Sequence, residues 1–117
     1  DWTRYDGTIP ATLLRRARLL RKFWLRKEDR EAYSGIISWY TNNLVKRYVM
    51  LPSGEVTRQK RGNPSGQYST SVDNSIINYW LQAFEFYHLN PTVNHRKLWG
   101  RYDTLVYGDD RLSTSPI

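Results

Sequence analysis

Residues Thr104–Ser113 read TLVYGDDRLS. Leu105, Val106 and Tyr107 make a short apolar β-run, Leu112 opens another, and Gly108, Asp109 and Asp110 fall between them. This spacing predicts a hairpin closing on Gly108, because Gly and Asp are turn residues whose side chains bond nearby backbone. Two adjacent carboxylates at a turn tip nevertheless repel each other, and like charges within about 4–6 Å raise each other's pKa. The pair is either ordinary turn chemistry or half of a site that a cation neutralises. Neighbouring stretches decide between the two.

With 117 residues the chain can be at most one domain with a modest core. It holds no run of about eighteen apolar residues, hence no membrane-spanning segment. Its opening, DWTRYDGTIP, lacks the basic-then-apolar pattern of a signal peptide and does not begin with Met, so it is expected to be a piece of a longer protein. Absence of cysteine removes disulfides, thiolate metal sites and thiol nucleophiles together. His88 and His95 are the only imidazoles, and their spacing is not that of metal ligands. A formal charge of +7 and 15% aromatic residues suit a polyanionic partner, nucleic acid first.

Hydrophobic periodicity predicts three helices. Leu13, Leu14, Ala17, Leu20 and Trp24 recur at helical spacing after Pro10, with Thr8 as a candidate cap. Another face of that helix carries Arg15, Arg18, Lys22 and Arg26, read either as a stripe for a membrane surface or a phosphate backbone or as a solvated face over a buried one. Tyr33, Ile36, Ile37, Tyr40 and Leu44 make a second stripe after the charged break RKEDRE. YVMLPSGEVTRQ then changes the period to two β-runs around a Pro52-Ser53-Gly54 turn. KRGNPSGQ follows as a glycine-rich loop, and Val72, Ile76, Ile77, Trp80, Phe84 and Tyr87 make the third helical stripe. The strands are too few and too separated for one complete sheet.

Asp1 and Asp6 are expected at the end of a strand entering from upstream, as Asp109 and Asp110 are at the end of another. Were those strands neighbours, three or four carboxylates would converge, an arrangement that needs a cation. Hard oxygen ligands suit Mg²⁺ or Mn²⁺, and a pair of such ions can stabilise both oxygens of a phosphoryl transfer. GNPSGQYSTSVDNSIIN supplies exposed backbone and hydroxyls at a helix start, which bind anionic or polyhydroxyl ligands. Ser69, Thr70 or Ser71 would equally serve there as a simple cap. Asn74 and Asn78, four residues apart, share one helix face and are candidates to read a sugar hydroxyl.

DWTRYDGTIP, GNPSGQYSTSVDNSIIN and YGDD together resemble motifs A, B and C of the viral RNA-dependent RNA polymerases, in that order and over nearly the whole chain. The string around motif A looks most like that of the astrovirus polymerases. On this resemblance motif A spans residues 1–10, motif B 62–78 and motif C 107–110. The implied fold is a partial palm of α/β (α+β) type, an antiparallel sheet packed on helices and incomplete at both ends.

The resemblance also implies roles. Asp1, Asp109 and Asp110 would be the catalytic and metal-binding acids, holding two Mg²⁺ or Mn²⁺ ions. Asp6 and Asn74 would sense the ribose 2′-hydroxyl, with Ser65 and Gly66 in a mobile loop and Thr70 supporting the nucleotide pocket. Partners would be RNA template, nascent RNA, ribonucleoside triphosphates and the fingers and thumb of a parent polymerase. The expected setting is host cytoplasm, in membrane-associated replication complexes, and the isolated piece is expected to be inactive. Two rivals stay open. A reverse-transcriptase palm shares the paired-Asp hairpin but excludes the 2′-hydroxyl with an aromatic, and a basic RNA-binding module needs no acids at strand ends.

Overall fold

A computed structural model describes residues 2–114. The chain divides into two compact units, one of Arg4–Thr70 and another of Trp2 and Thr3 with the stretch from Ser71 onward. Its class is mixed helix and sheet, with two separate two-stranded antiparallel sheets rather than one. No described helix is long and apolar enough to cross a membrane.

The first unit starts with a single helical turn, α1 (Tyr5–Thr8), where a strand end was expected. Arg4 enters it at φ 55°, the left-handed region that L-residues avoid. Thr8 does not cap the next helix. Its hydroxyl bonds back to the Arg4 carbonyl at 3.0 Å, and α2 (Ala11–Phe23) is opened by the Pro10 carbonyl, which accepts from the N–H groups of Leu13 and Leu14. The expected break RKEDRE is itself helical, forming α3 (Lys27–Ala32). Lys, Glu, Arg and Ala are good helix formers, and Lys27 pairs with Glu31 one turn on at 4.0 Å.

Helix α4 (Ser34–Val45) and the hairpin β1 (Arg47–Met50) and β2 (Val56–Gln59) complete the unit. In the hairpin Tyr48 pairs with Arg58 and Met50 with Val56, around the turn at Gly54. Buried Tyr5, Ile9, Leu14, Ala17, Leu44 and Val45 form the core. The predicted stripes only partly reach it, since Leu20, Trp24, Tyr33 and Ile36 are exposed. Nor is the cationic face of α2 simply solvated. Arg15 bonds the Asn42 amide oxygen at 2.7 Å, Arg18 the Thr41 hydroxyl at 3.0 Å and Lys22 the Ser34 hydroxyl at 3.1 Å, so three of those cations fasten α2 to α4.

In the second unit α5 (Thr70–Leu89) is followed by α6 (His95–Trp99) and the hairpin β3 (Thr104–Tyr107) and β4 (Asp110–Ser113). Phe86 meets the Tyr102 ring edge-on at 5.1 Å, and Tyr87 stacks on His95 at 4.2 Å, closing the end of α5 against α6 and its following turn. Helix α5 inverts the expected packing. Trp80, Phe84 and Tyr87 are exposed, while Asp73, Asn74, Asn78 and Gln82 are buried beside Ile77 and Phe86.

Within the first unit the glycine loop lies directly on α1. Gly62 N–H donates to the Ile9 carbonyl at 2.7 Å and Asn63 N–H to the Asp6 carbonyl at 2.6 Å. At φ +80°, a Cβ on Gly62 would stand 2.5 Å from the Asp6 carbonyl oxygen, whereas one on Gly54, at φ +89°, would meet nothing within 4 Å. Gly54→Ala is therefore expected to cost only the left-handed strain, about 1–2 kcal/mol. Gly62→Ala adds displacement of backbone, about 1–3 kcal/mol more. Thermal unfolding of the two variants checks the difference, and equal melting temperatures would contradict the close approach.

Candidate active site

Residues of the DWTRYDGTIP and GNPSGQYSTS stretches meet in the first unit. Ser65 follows Pro64 in the loop that Gly62 and Asn63 anchor, and its hydroxyl donates to Asp6 Oδ2 at 2.5 Å. That bond joins residues 59 apart in sequence, and it pairs two positions singled out from the motifs. Gly66, at φ +82°, supplies the left-handed step that turns the loop. Thr70 closes it, its hydroxyl donating to the Pro64 carbonyl at 2.6 Å. Thr70 thus binds its own loop.

Two guanidiniums brace this loop from behind. Arg18 reaches the Ser69 hydroxyl at 3.2 Å and lies over the Tyr40 ring at 4.7 Å. Arg47 donates to the carbonyls of Gly62, Arg61 and Leu44 at 3.1, 3.2 and 3.0 Å. Partial burial pulls the Arg47 pKa below the ordinary arginine value, through desolvation of the charge. The Gln67 side chain ties the loop internally, accepting from Ser69 N–H at 2.9 Å and donating to Asn63 at 3.2 Å. The loop is therefore a braced structure that exposes Ser65 and Gly66 at its corner.

The second unit carries the paired acids. Tyr107 and Asp110 are register partners across the hairpin, leaving Gly108 and Asp109 as its two-residue turn. Among the described residues of that turn only Gly108 has positive φ, at 58°, the sign pattern of a type II′ turn with Gly first. Asp109 and Asp110 are both exposed. Their side chains take no part in the hydrogen bonds or ion pairs of the described residues. As hard oxygen donors at a solvent-facing tip, they have the chemistry a small divalent cation takes.

The turn is held by α5 through its backbone. Asn78 Nδ2 stands 3.1, 3.0 and 3.3 Å from the carbonyl oxygens of Gly108, Asp109 and Asp110. Gly108 N–H donates to the Ser75 hydroxyl at 2.8 Å, which itself donates to the Ser71 carbonyl at 2.6 Å. Asn78, read from the sequence as a candidate for a sugar hydroxyl, instead spends its amide on the turn. Ser75 carried no expectation at all. The signal that points to both is a polar row, Ser75, Asn78 and Gln82, at spacings of three and four along the helix.

Asn74 is buried on the same helix. Asp1 lies outside the described residues, so its expected meeting with the other acids has no counterpart here. Among the described residues no three His, Cys, Asp or Glu side chains gather closely enough to hold a metal ion.

Known proteins match along the full length of this arrangement. The family described as viral RNA-dependent RNA polymerase covers residues 1–116. The non-structural polyprotein 1AB of human astrovirus-1 is 58% identical over 116 residues, 99% of this chain and 8% of the polyprotein. The same polyprotein of ovine astrovirus 1 is 49% identical over 120 residues, and that of avian nephritis virus 1 is 52% identical over 119. The chain spans under a tenth of the length of these relatives. With a family match running over residues 1–116, the chain belongs to the viral RNA-dependent RNA polymerases.

Proposed function

We propose that this region carries the nucleotidyl-transfer centre of a polymerase that copies viral RNA from ribonucleoside triphosphates. In that reaction the 3′-hydroxyl oxygen of nascent RNA bonds to the α-phosphorus of the incoming nucleotide while pyrophosphate leaves. The observation that carries the reading is the Ser65–Asp6 bond at 2.5 Å, which joins the motif A acid to the motif B loop. Ser65 orients the Asp6 carboxylate through Oδ2, and carboxylate oxygens accept from hydroxyl groups such as that of a ribose. Asn74, with donor and acceptor on one amide, is the complementary reader of the 2′-hydroxyl.

Asp109 and Asp110, with Asp1, would hold two Mg²⁺ or Mn²⁺ ions, which stabilise charge on the attacking and leaving oxygens when bound. The chain's own part is positional. Gly66 and Thr70 shape the loop corner, Arg18 and Arg47 keep it braced, and the hairpin presents the acids at a fixed turn. RNA template and nascent strand are the polyanions that the net positive charge suits.

Asp109→Asn in the full polymerase is expected to abolish nucleotide incorporation and leave folding intact, because it removes charge at constant shape. Loss of comparable electrostatic stabilisation costs about 3–4 kcal/mol, a hundredfold or more in rate. Primer extension with Mg²⁺ measures it, and near-normal extension by a folded variant would sink the assignment.

Sugar choice is a separate readout. Asp6→Ala or Asn74→Ala is expected to narrow the preference for ribonucleotides over deoxyribonucleotides, because a site built to bond a hydroxyl discriminates through the group left unpaired by the deoxy analogue. Parallel incorporation of both nucleotide types gives the ratio. An unchanged ratio in both variants would remove this pair from the pocket, and a wild-type preference for deoxyribonucleotides would favour the reverse-transcriptase alternative.

A further inference from the structure

Three successive carbonyls, those of Gly108, Asp109 and Asp110, point at one side-chain nitrogen. Carbonyl oxygens brought together repel, so this turn conformation needs a donor at their focus. Asn78 fills that position, fully buried at 0% exposure. Its amide has two hydrogens for three acceptors, so at least one is shared. The contact also fixes the amide's orientation, since the flipped form would set Oδ1 against all three carbonyls. Asn78 Oδ1 has no partner among the described residues, so the turn alone dictates how this side chain sits.

Ser75 completes the hold. Its single hydrogen goes to the Ser71 carbonyl, which leaves a lone pair for Gly108 N–H. Residues three apart lie on one helix face, so Ser75 and Asn78 grip the N–H and the C=O of Gly108 from the same side. A turn held at both groups of one residue, and at the two carbonyls that follow, resists both rolling and slipping.

We propose that Asn78, assisted by Ser75, is a positioning residue for the paired acids: it fixes the backbone from which Asp109 and Asp110 project and leaves their carboxylates free to take a cation. The proposal rests on the nucleotidyl-transfer reading and adds to it two residues outside the motif roles given above. The neutrality of the clamp is part of its design. An arginine or lysine would satisfy the same carbonyls, but its charge beside two carboxylates would compete with a divalent cation for them. An amide supplies hydrogen bonds without a counter-charge.

The test uses the full polymerase carrying Asn78→Ala, Ser75→Ala or Asp109→Asn. Mn²⁺ binding is followed by electron paramagnetic resonance, and kcat, the KM for nucleotide and RNA binding are measured alongside. Outer-shell residues that orient metal ligands typically change metal affinity or activity by about 10–100-fold. Asn78→Ala is expected to weaken Mn²⁺ binding and lower kcat within that range, with RNA affinity unchanged. Ser75→Ala, losing one neutral hydrogen bond, should move both in the same direction by about fivefold. If Asn78→Ala fails to fold, as loss of RNA binding would reveal, Ser75→Ala decides. Wild-type Mn²⁺ affinity and kcat in the folded variants, with Asp109→Asn inactive, would overturn the positioning role alone. An active Asp109→Asn would overturn the underlying reading instead.

Discussion

Helix α5 buries three amides and one carboxylate and exposes four of its five aromatic rings, and the second unit is organised around that pattern. A polar group taken from water without a partner costs about 1–3 kcal/mol, whereas a satisfied neutral hydrogen bond returns only about 1 kcal/mol net. Asp73, Asn74, Asn78 and Gln82 are therefore a demanding surface to bury. The hairpin meets part of that demand with backbone carbonyls at its turn. On one face of the hairpin Thr104, Val106 and Arg111 are half-buried, and Arg111 reaches Glu85 of α5 at 3.3 Å. Leu105, Tyr107 and Leu112 consequently point the other way and are exposed.

The first unit depends on a different constraint, close approach of backbone to backbone. Gly62 can lie against the Asp6 carbonyl only because it has no Cβ. That approach delivers Ser65 to Asp6 and gives the loop its register on α1. The basic face of α2 then serves the loop and α4 through Arg15, Arg18 and Lys22, so much of its charge is structural.

Elements were legible in the sequence where local periodicity and turn chemistry agree. The bodies of α2, α4 and α5 follow from apolar spacing, and both hairpins from β-runs flanking glycine turns. Faces were less legible. Hydrophobic periodicity assigns the apolar side to the core, yet Trp80 and Phe84 are exposed and Asn78 is buried. What decides is whether the facing element offers carbonyls or methyl groups, and nothing in α5 itself records that. The acids of the turn, Asp109 and Asp110, and the loop residues Ser65, Gly66 and Thr70 can be singled out from the sequence because motif spacing is linear. The pairing of Asp6 with Ser65 is a property of the folded loop. RKEDRE interrupts the apolar periodicity yet is helical over Lys27–Ala32, because Lys, Glu, Arg and Ala favour a helix without any apolar stripe.

The two carbonyl clamps in the chain solve one geometric problem by different chemistry. Arg47 gathers the carbonyls of Leu44, Arg61 and Gly62, and Asn78 gathers those of Gly108, Asp109 and Asp110. A guanidinium offers more donors in a rigid fork and forms stronger, charge-assisted bonds, so on hydrogen bonding alone it is the better clamp at both places. At Arg47 the clamped segment is itself basic, running through Lys60 and Arg61, and the cation tolerates that because carbonyl dipoles meet it directly. At Asn78 the clamped residues carry two carboxylates. A fixed cation there would hold the acids in an internal ion pair and lower their demand for any other positive charge. The weaker clamp is the one compatible with acids that must remain available. Chemistry at the tip of the hairpin thus constrains a residue buried beneath it that has no contact with the carboxylates themselves.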